Sequence, residues 1–166
     1  MKIGSVLAFV AIAFALSGAL SFLHPWGNPR AANPAGSEIL SGSNIPPDVR
    51  RLIETRCADC HSNNTHWPVY SRLSPASWLV ERDVQRGRAS LNLSLWQQYT
   101  TSGQIELLTR IGSEVRTGEM PPRQYLILHH GARLTQSQQD LIYAWARAER
   151  KRIKQQAAQQ MDGGTQ

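Results

Sequence analysis

The chain has 166 residues, of which 41% are hydrophobic and 18% charged, with a net charge of +6. This composition belongs to a folded protein and excludes a disordered one. The basic residues are scattered through the middle of the chain, which argues against nucleic acid as a partner and leaves an acidic protein or an anionic membrane surface.

Residues 1–24 open with Lys2 and an apolar run from Ile3 to Leu23 that no charge interrupts. A run of this length spans the hydrocarbon of a bilayer, and Trp26 in His24-Pro25-Trp26 suits the headgroup region. Small residues in Ala15-Leu16-Ser17 and Ser17-Gly18-Ala19 equally suit cleavage of a secretory signal. Either reading exports the remainder, so a periplasmic location is expected, with residues 3–23 as an inner-membrane anchor or a signal. Residues 25–47 contain Pro29, Pro34, Gly36, Gly42, Pro46 and Pro47 and little that could fill a core, and they read as a flexible linker.

Four helices are predicted over residues 48–150. The first starts at Pro47-Asp48, with Pro in the first turn and Asp at the positive helix end, and carries Leu52 and Ile53 toward Arg56. The second starts at the cap Ser74 with Pro75 behind it and stops at Gly87. The third starts after Ser102, repeats Ile105, Leu108, Ile111 and Val115 at helical spacing, and ends at Gly118. The fourth starts at the capping box Thr135–Gln138 and presents Leu141, Ile142 and Trp145. The run Arg147, Arg150, Lys151, Arg152 and Lys154 reads as a solvated helix end, with an acidic partner or anionic lipid as the alternative. Residues 151–166 form a polar tail, frayed over Gln155–Gln166. The fold class is all-α. Its long loops, about 61–74, 88–101 and 119–134, need something to fold around.

Cys57-Ala58-Asp59-Cys60-His61 supplies that object. C-x-x-C-H is the attachment signature of c-type haem. Two thiols three positions apart on a helix lie on one side, where they can form thioethers with the two vinyl groups of one haem edge. His61 then sits beneath the iron as an axial ligand. A disulfide, a thioredoxin-like dithiol and half of a zinc site are the competing readings. The dithiol expects a preceding strand where a helix is predicted, and zinc expects a second cysteine pair that the chain lacks.

The sixth iron ligand follows by elimination. Met1 is the initiator and Met161 lies in the tail, which leaves Met120, in a loop stiffened by Pro121 and Pro122. His129 and His130 are the alternatives, and His66 is too near the proximal ligand in sequence. Trp67, Tyr70, Trp78 and Trp96 are candidates to line the haem, with core packing as the plainer role. Arg72, Arg86 and Arg88 are candidates to pair with its propionates, and the carbonyl of Pro68 or Pro75 to orient the His61 ring.

Taken together, these blocks resemble the haem-binding domain family of small bacterial monohaem c-type cytochromes. The carrying residues run from Cys57 through Ser62-Asn63, Trp67-Pro68-Val69-Tyr70 and Ser77-Trp78-Leu79. They continue through Asp83-Val84, Gly87-Arg88, Leu91-Asn92, Ser94 and Trp96 to Met120-Pro121-Pro122, Tyr125, His129, Ala132, Leu134 and Trp145. The resemblance covers about residues 48–148. It implies a cytochrome c-like helical domain whose loops wrap one covalent haem c, preceded by a membrane anchor or signal. Covalent attachment makes the cytochrome c maturation machinery an expected partner, and electron transfer a redox protein, while the resemblance itself names no partner. With both axial positions filled, single-electron transfer in the periplasm is the leading function, without catalytic residues. A haem-based redox or gas sensor, or a subunit of a membrane assembly, is the alternative. A haem peroxidase, with His129, His130 or Glu119 as acid–base group, comes last.

Overall fold

The computed structural model describes residues 3–30 and 38–163. Seven α-helices and three 3-10 turns make up the described residues, and no strand occurs among them. The fold class is therefore all-α.

Helix α1, Ile3–Leu20, carries no charged residue and buries none of its side chains. It is long and apolar enough to cross a membrane, and it meets the same test as a signal sequence. Helix α2, Pro47–Arg56, buries Val49 and Ile53. It kinks at Cys57 into the single turn α3, Ala58–His61. Helix α4, Ala76–Ser90, follows a 3-10 turn at Val69–Arg72. A second 3-10 stretch, Leu93–Gln98, leads to α5, Thr101–Thr117. Thr100 caps α5 by accepting from the Gly103 amide at 3.1 Å, and Gly118 ends it in the left-handed region at φ 74°. Helix α6, Arg123–Leu128, and a turn at His130–Ala132 lead to α7, Gln136–Gly163.

The core forms where α7 packs along α5 and α2 closes one end. Its members include Val49, Ile53, Leu93, Trp96, Leu108, Val115, Ile142 and Trp145. The capping box holds as read: the Thr135 hydroxyl accepts from the Gln138 amide at 3.3 Å, and the Gln138 side chain accepts from the Thr135 amide at 2.9 Å.

Four local expectations fail, each for a physical reason. Gly87 does not stop α4, which continues to Ser90. A Cβ at Gly87 would collide with the Cys60 carbonyl, so this glycine permits close approach rather than a turn. Ser74 does not cap α4; its hydroxyl pairs with that of Ser77 at 3.1 Å. The described part of the linker is not free. Leu40 is fully buried beside Ile39, its amide donates to the Leu93 carbonyl at 2.9 Å, and Trp145 Nε1 donates to the Asn44 carbonyl at 3.1 Å. Two apolar residues are enough to draw this stretch into the core; residues 31–37, with Pro34 and Gly36, lie outside the described residues. Finally, α7 continues through the expected tail with Ile153 buried, so the basic run lies inside a helix and not at its end. Arg152 there pairs with buried Glu149, and Arg150 donates to Thr109.

Candidate functional site

The Cys-x-x-Cys-His segment is a helical turn with its own hydrogen bonds. The Cys57 carbonyl accepts from the Cys60 amide at 3.3 Å and the His61 amide at 3.0 Å. Cys57 and His61 are thereby one turn apart and share a face. That face opens onto a cleft between α2, α5 and α7, lined by Cys57, His61 and Met120. Its walls are aliphatic, among them Ile53, Leu93, Leu107, Ile111 and Val115, and its empty volume is about 560 Å³ including the mouth. The apolar lining is that of a cofactor site.

His61 is held in one orientation. Its Nδ1 lies 3.1 Å from the Leu91 carbonyl oxygen, which can only accept, so Nδ1 carries the proton and Nε2 is left bare. Burial lowers the His61 pKa, opposed by that backbone bond, and keeps the ring neutral as an iron ligand requires. Leu91 does what was expected of Pro68 or Pro75. The segments that follow His61 and Leu91 are tied together by buried polar side chains whose role the sequence did not reveal. The Asn63 amide donates to Ser94 Oγ at 3.0 Å, Asn92 Nδ2 donates to Asn63 Oδ1 at 2.9 Å, and the Ser94 amide donates to Asn92 Oδ1 at 3.1 Å. Asn and Ser in this density next to a haem motif were the available signal.

Burial pushes the Cys57 thiol up to about 12 and the Cys60 thiol up to about 11. A redox dithiol needs a lowered thiol pKa, and neither cysteine is in a disulfide. Among the described residues no group of three His, Cys, Asp or Glu converges to hold a bare metal ion. A neutral Cys57 thiol at an apolar cleft, beside an imidazole with a bare nitrogen, fits a tetrapyrrole that brings its own iron ligands, whereas Cys60 is not among the residues lining the cleft and has its carbonyl and Cβ against Gly87.

The alternative histidines are occupied elsewhere. His129 Nδ1 lies 3.1 Å from the Tyr125 carbonyl, Nε2 lies 3.1 Å from the Tyr70 hydroxyl, and the ring stacks on Tyr125 at 4.0 Å. His66 pairs with Asp59 at 3.2 Å on the surface, and His130 is exposed, as is Glu119.

None of the four expected aromatic residues lines the cleft. Trp96 is core, Trp67 stacks under Arg30 at 4.1 Å, and Trp78 Nε1 donates to the Leu23 carbonyl at 2.8 Å. Aliphatic residues of α5 take that place. The arginine expectation also fails. Arg88 donates to the Ser62 and Pro29 carbonyls and to Thr65 Oγ1, while Arg72 and Arg86 are exposed. The cleft's cation is Arg110, 3.0 Å from Ser90 Oγ and 3.6 Å from Glu114. Helical spacing had marked α5 only as an apolar stripe, so its polar cleft residues went unnoticed.

Searches of curated proteins and of solved structures with this chain return no match. A family model does match, and the chain belongs to the family it describes, the haem-binding domain, over residues 15–148.

Proposed function

We propose that this haem-binding protein is a monohaem c-type cytochrome that passes single electrons in the periplasm, anchored to the inner membrane by α1. The observation that carries the reading is the convergence of Cys57, His61 and Met120 on one apolar cleft. Cys57 and Cys60 would hold the cofactor by thioethers, and His61 Nε2 and the Met120 sulfur would bind its iron. Haem supplies a one-electron couple, and a thioether ligand favours its ferrous state. The residues do the rest. The Leu91 carbonyl fixes the His61 ring, so the ligand does not rotate away on a change of charge. The aliphatic walls exclude water from the iron's surroundings. Arg110, which donates to Ser90 Oγ at the cleft, would pair with a propionate. With His61 and Met120 both binding the iron, no position would be left for a substrate, which favours electron transfer over peroxidase or gas-sensor chemistry.

The test is a pyridine haemochrome spectrum of the full chain matured in a periplasm, read with a near-infrared spectrum of the oxidised form. Two thioethers and a sulfur–iron charge-transfer band are expected. Haem that extracts into acidified organic solvent overturns covalent attachment, and a high-spin oxidised spectrum overturns the His/Met pair.

A further inference from the structure

We propose that the haem domain does not hang from its anchor but rests on the bilayer through an apolar face made of Phe22, Leu23, Leu73 and Leu79, with Trp26 at its rim. The inference rests on reading α1 as a membrane span.

The first observation is a seam between α1 and the domain. Ser17 Oγ donates to the Ser74 carbonyl at 2.6 Å, and the Ser74 amide donates to Ser21 Oγ at 2.9 Å. Trp78 Nε1 donates to the Leu23 carbonyl at 2.8 Å. Just beyond, His24 Nδ1 lies 3.0 Å from the Glu81 carboxylate, whose side chain is 1% exposed, and Arg30 donates to Ser71 Oγ at 2.7 Å. The family match begins at residue 15, inside α1, and so takes in Ser17 and Ser21 of the seam.

The second observation is depth. Helix α1 has 18 residues, about 27 Å at 1.5 Å per residue, against a hydrocarbon thickness of about 30 Å. To span, it needs its whole length and part of Ser21–Leu23. Ser17 therefore lies about 4.5 Å inside the end of the helix. The Ser74 peptide, bonded to Ser17 and Ser21, is held at the margin of the hydrocarbon.

The third observation is what flanks that peptide. Leu73 and Leu79 are 41% and 47% exposed, and Phe22, Leu23 and Trp26 are 84%, 57% and 49% exposed. Exposed apolar side chains grouped around a membrane-depth seam are accounted for by lipid. Trp26 has the amphipathic ring suited to the headgroup level. Phe22 and Leu23 follow directly on the exposed apolar surface of α1, and Leu73 and Leu79 are next in sequence to Ser74 and Trp78, which are bonded to that segment, so the bilayer that α1 enters is the occupant of this face.

The test uses the haem-loaded full chain in vesicles of phosphatidylethanolamine and phosphatidylglycerol containing a trace of phosphatidylcholine with a diazirine on its acyl chain. After photolysis, peptide mass spectrometry maps the lipid adducts. The expected map has adducts on α1 and on residues 73–79, several-fold above those on α5 and α7. In the Leu73→Glu/Leu79→Glu variant, those at 73–79 fall several-fold while those on α1 remain. Adducts on α1 without any at 73–79 overturn the docking face and leave the anchor standing. Adducts nowhere on α1 overturn the anchor reading and the inference with it. Adducts spread evenly over α5 and α7 overturn the docking face. The wild-type map decides the matter even where the variant fails to fold.

Discussion

The Leu91 carbonyl oxygen accepts from His61 Nδ1 at 3.1 Å across 30 residues of chain. It decides which ring nitrogen is bare. Leu91 sits at the end of α4, where its own amide donates to Gly87. Gly87 in turn packs against Cys60. The helix that orients the histidine is thus the one that braces the cysteine turn.

This separates tethering from ligation. In His61→Gln, both cysteines and the cleft remain, so the pyridine haemochrome spectrum should match that of the wild type. The oxidised spectrum should turn high-spin, because glutamine is a poor iron ligand. A low-spin, wild-type-like spectrum in this variant would remove His61 from the iron.

Gly87→Ala should destabilise the fold. Alanine improves the helix by up to about 1 kcal/mol, but its Cβ falls on the Cys60 carbonyl. That atom is backbone and cannot rotate away, and overpacking costs about 1–3 kcal/mol. The clash outweighs the gain over most of that range, for a net loss of up to about 2 kcal/mol, and Tm should fall by roughly 4 °C for each kcal/mol in a domain of this size. An unchanged or raised melting temperature by circular dichroism would show that α4 shifts freely from the cysteine turn.

Much of this was legible beforehand. Cys57, His61 and Met120 were named from spacing and elimination, and they line one cleft. Capping chemistry located the start of α2, the end of α5 and the start of α7 because it is local. What failed depends on tertiary contact. Gly87 looks like a stop until the Cys60 carbonyl is seen against it. Leu40 looks like part of a linker until the core closes over it. Arg88 looks like a propionate partner until three oxygens of nearby loops claim it. Arg110 sits in a helix whose apolar repeat drew all the attention.

Met120→Ala should lower the midpoint potential and abolish the sulfur–iron band. A thioether favours ferrous iron, and each tenfold loss of that preference is about 59 mV for one electron. A fall of at least about 60 mV is therefore expected in a redox titration. Retention of both band and potential would hand the sixth position to another group.

Arg110 and Glu114 should move the potential in opposite directions. Arg110→Leu removes a cation from the cleft and disfavours the electron-rich state. Glu114→Gln removes an anion and favours it. At an effective dielectric near 20, each change is on the order of 1 kcal/mol, or roughly 40 mV. Shifts of the same sign in the two variants would mean that they act by distorting the cleft and not by charge.

Tyr125 gives the domain an alkaline limb. Burial pushes its phenol up to about 12, against about 10 in an unfolded chain. Between those values the unfolded chain has lost the proton and the folded one keeps it. The folded state then binds more protons, and stability falls as pH rises. The effect is absent below about pH 10 and complete near 12. Tyr125 is only partly buried, so the loss is on the order of 1 kcal/mol rather than the full shift. Tyr125→Phe keeps the ring stacked on His129 and removes the proton. Urea unfolding from neutral pH to about pH 12 should show a shallower alkaline decline in the variant. Equal declines in the two proteins would mean that the phenol titrates alike in the folded and unfolded chains.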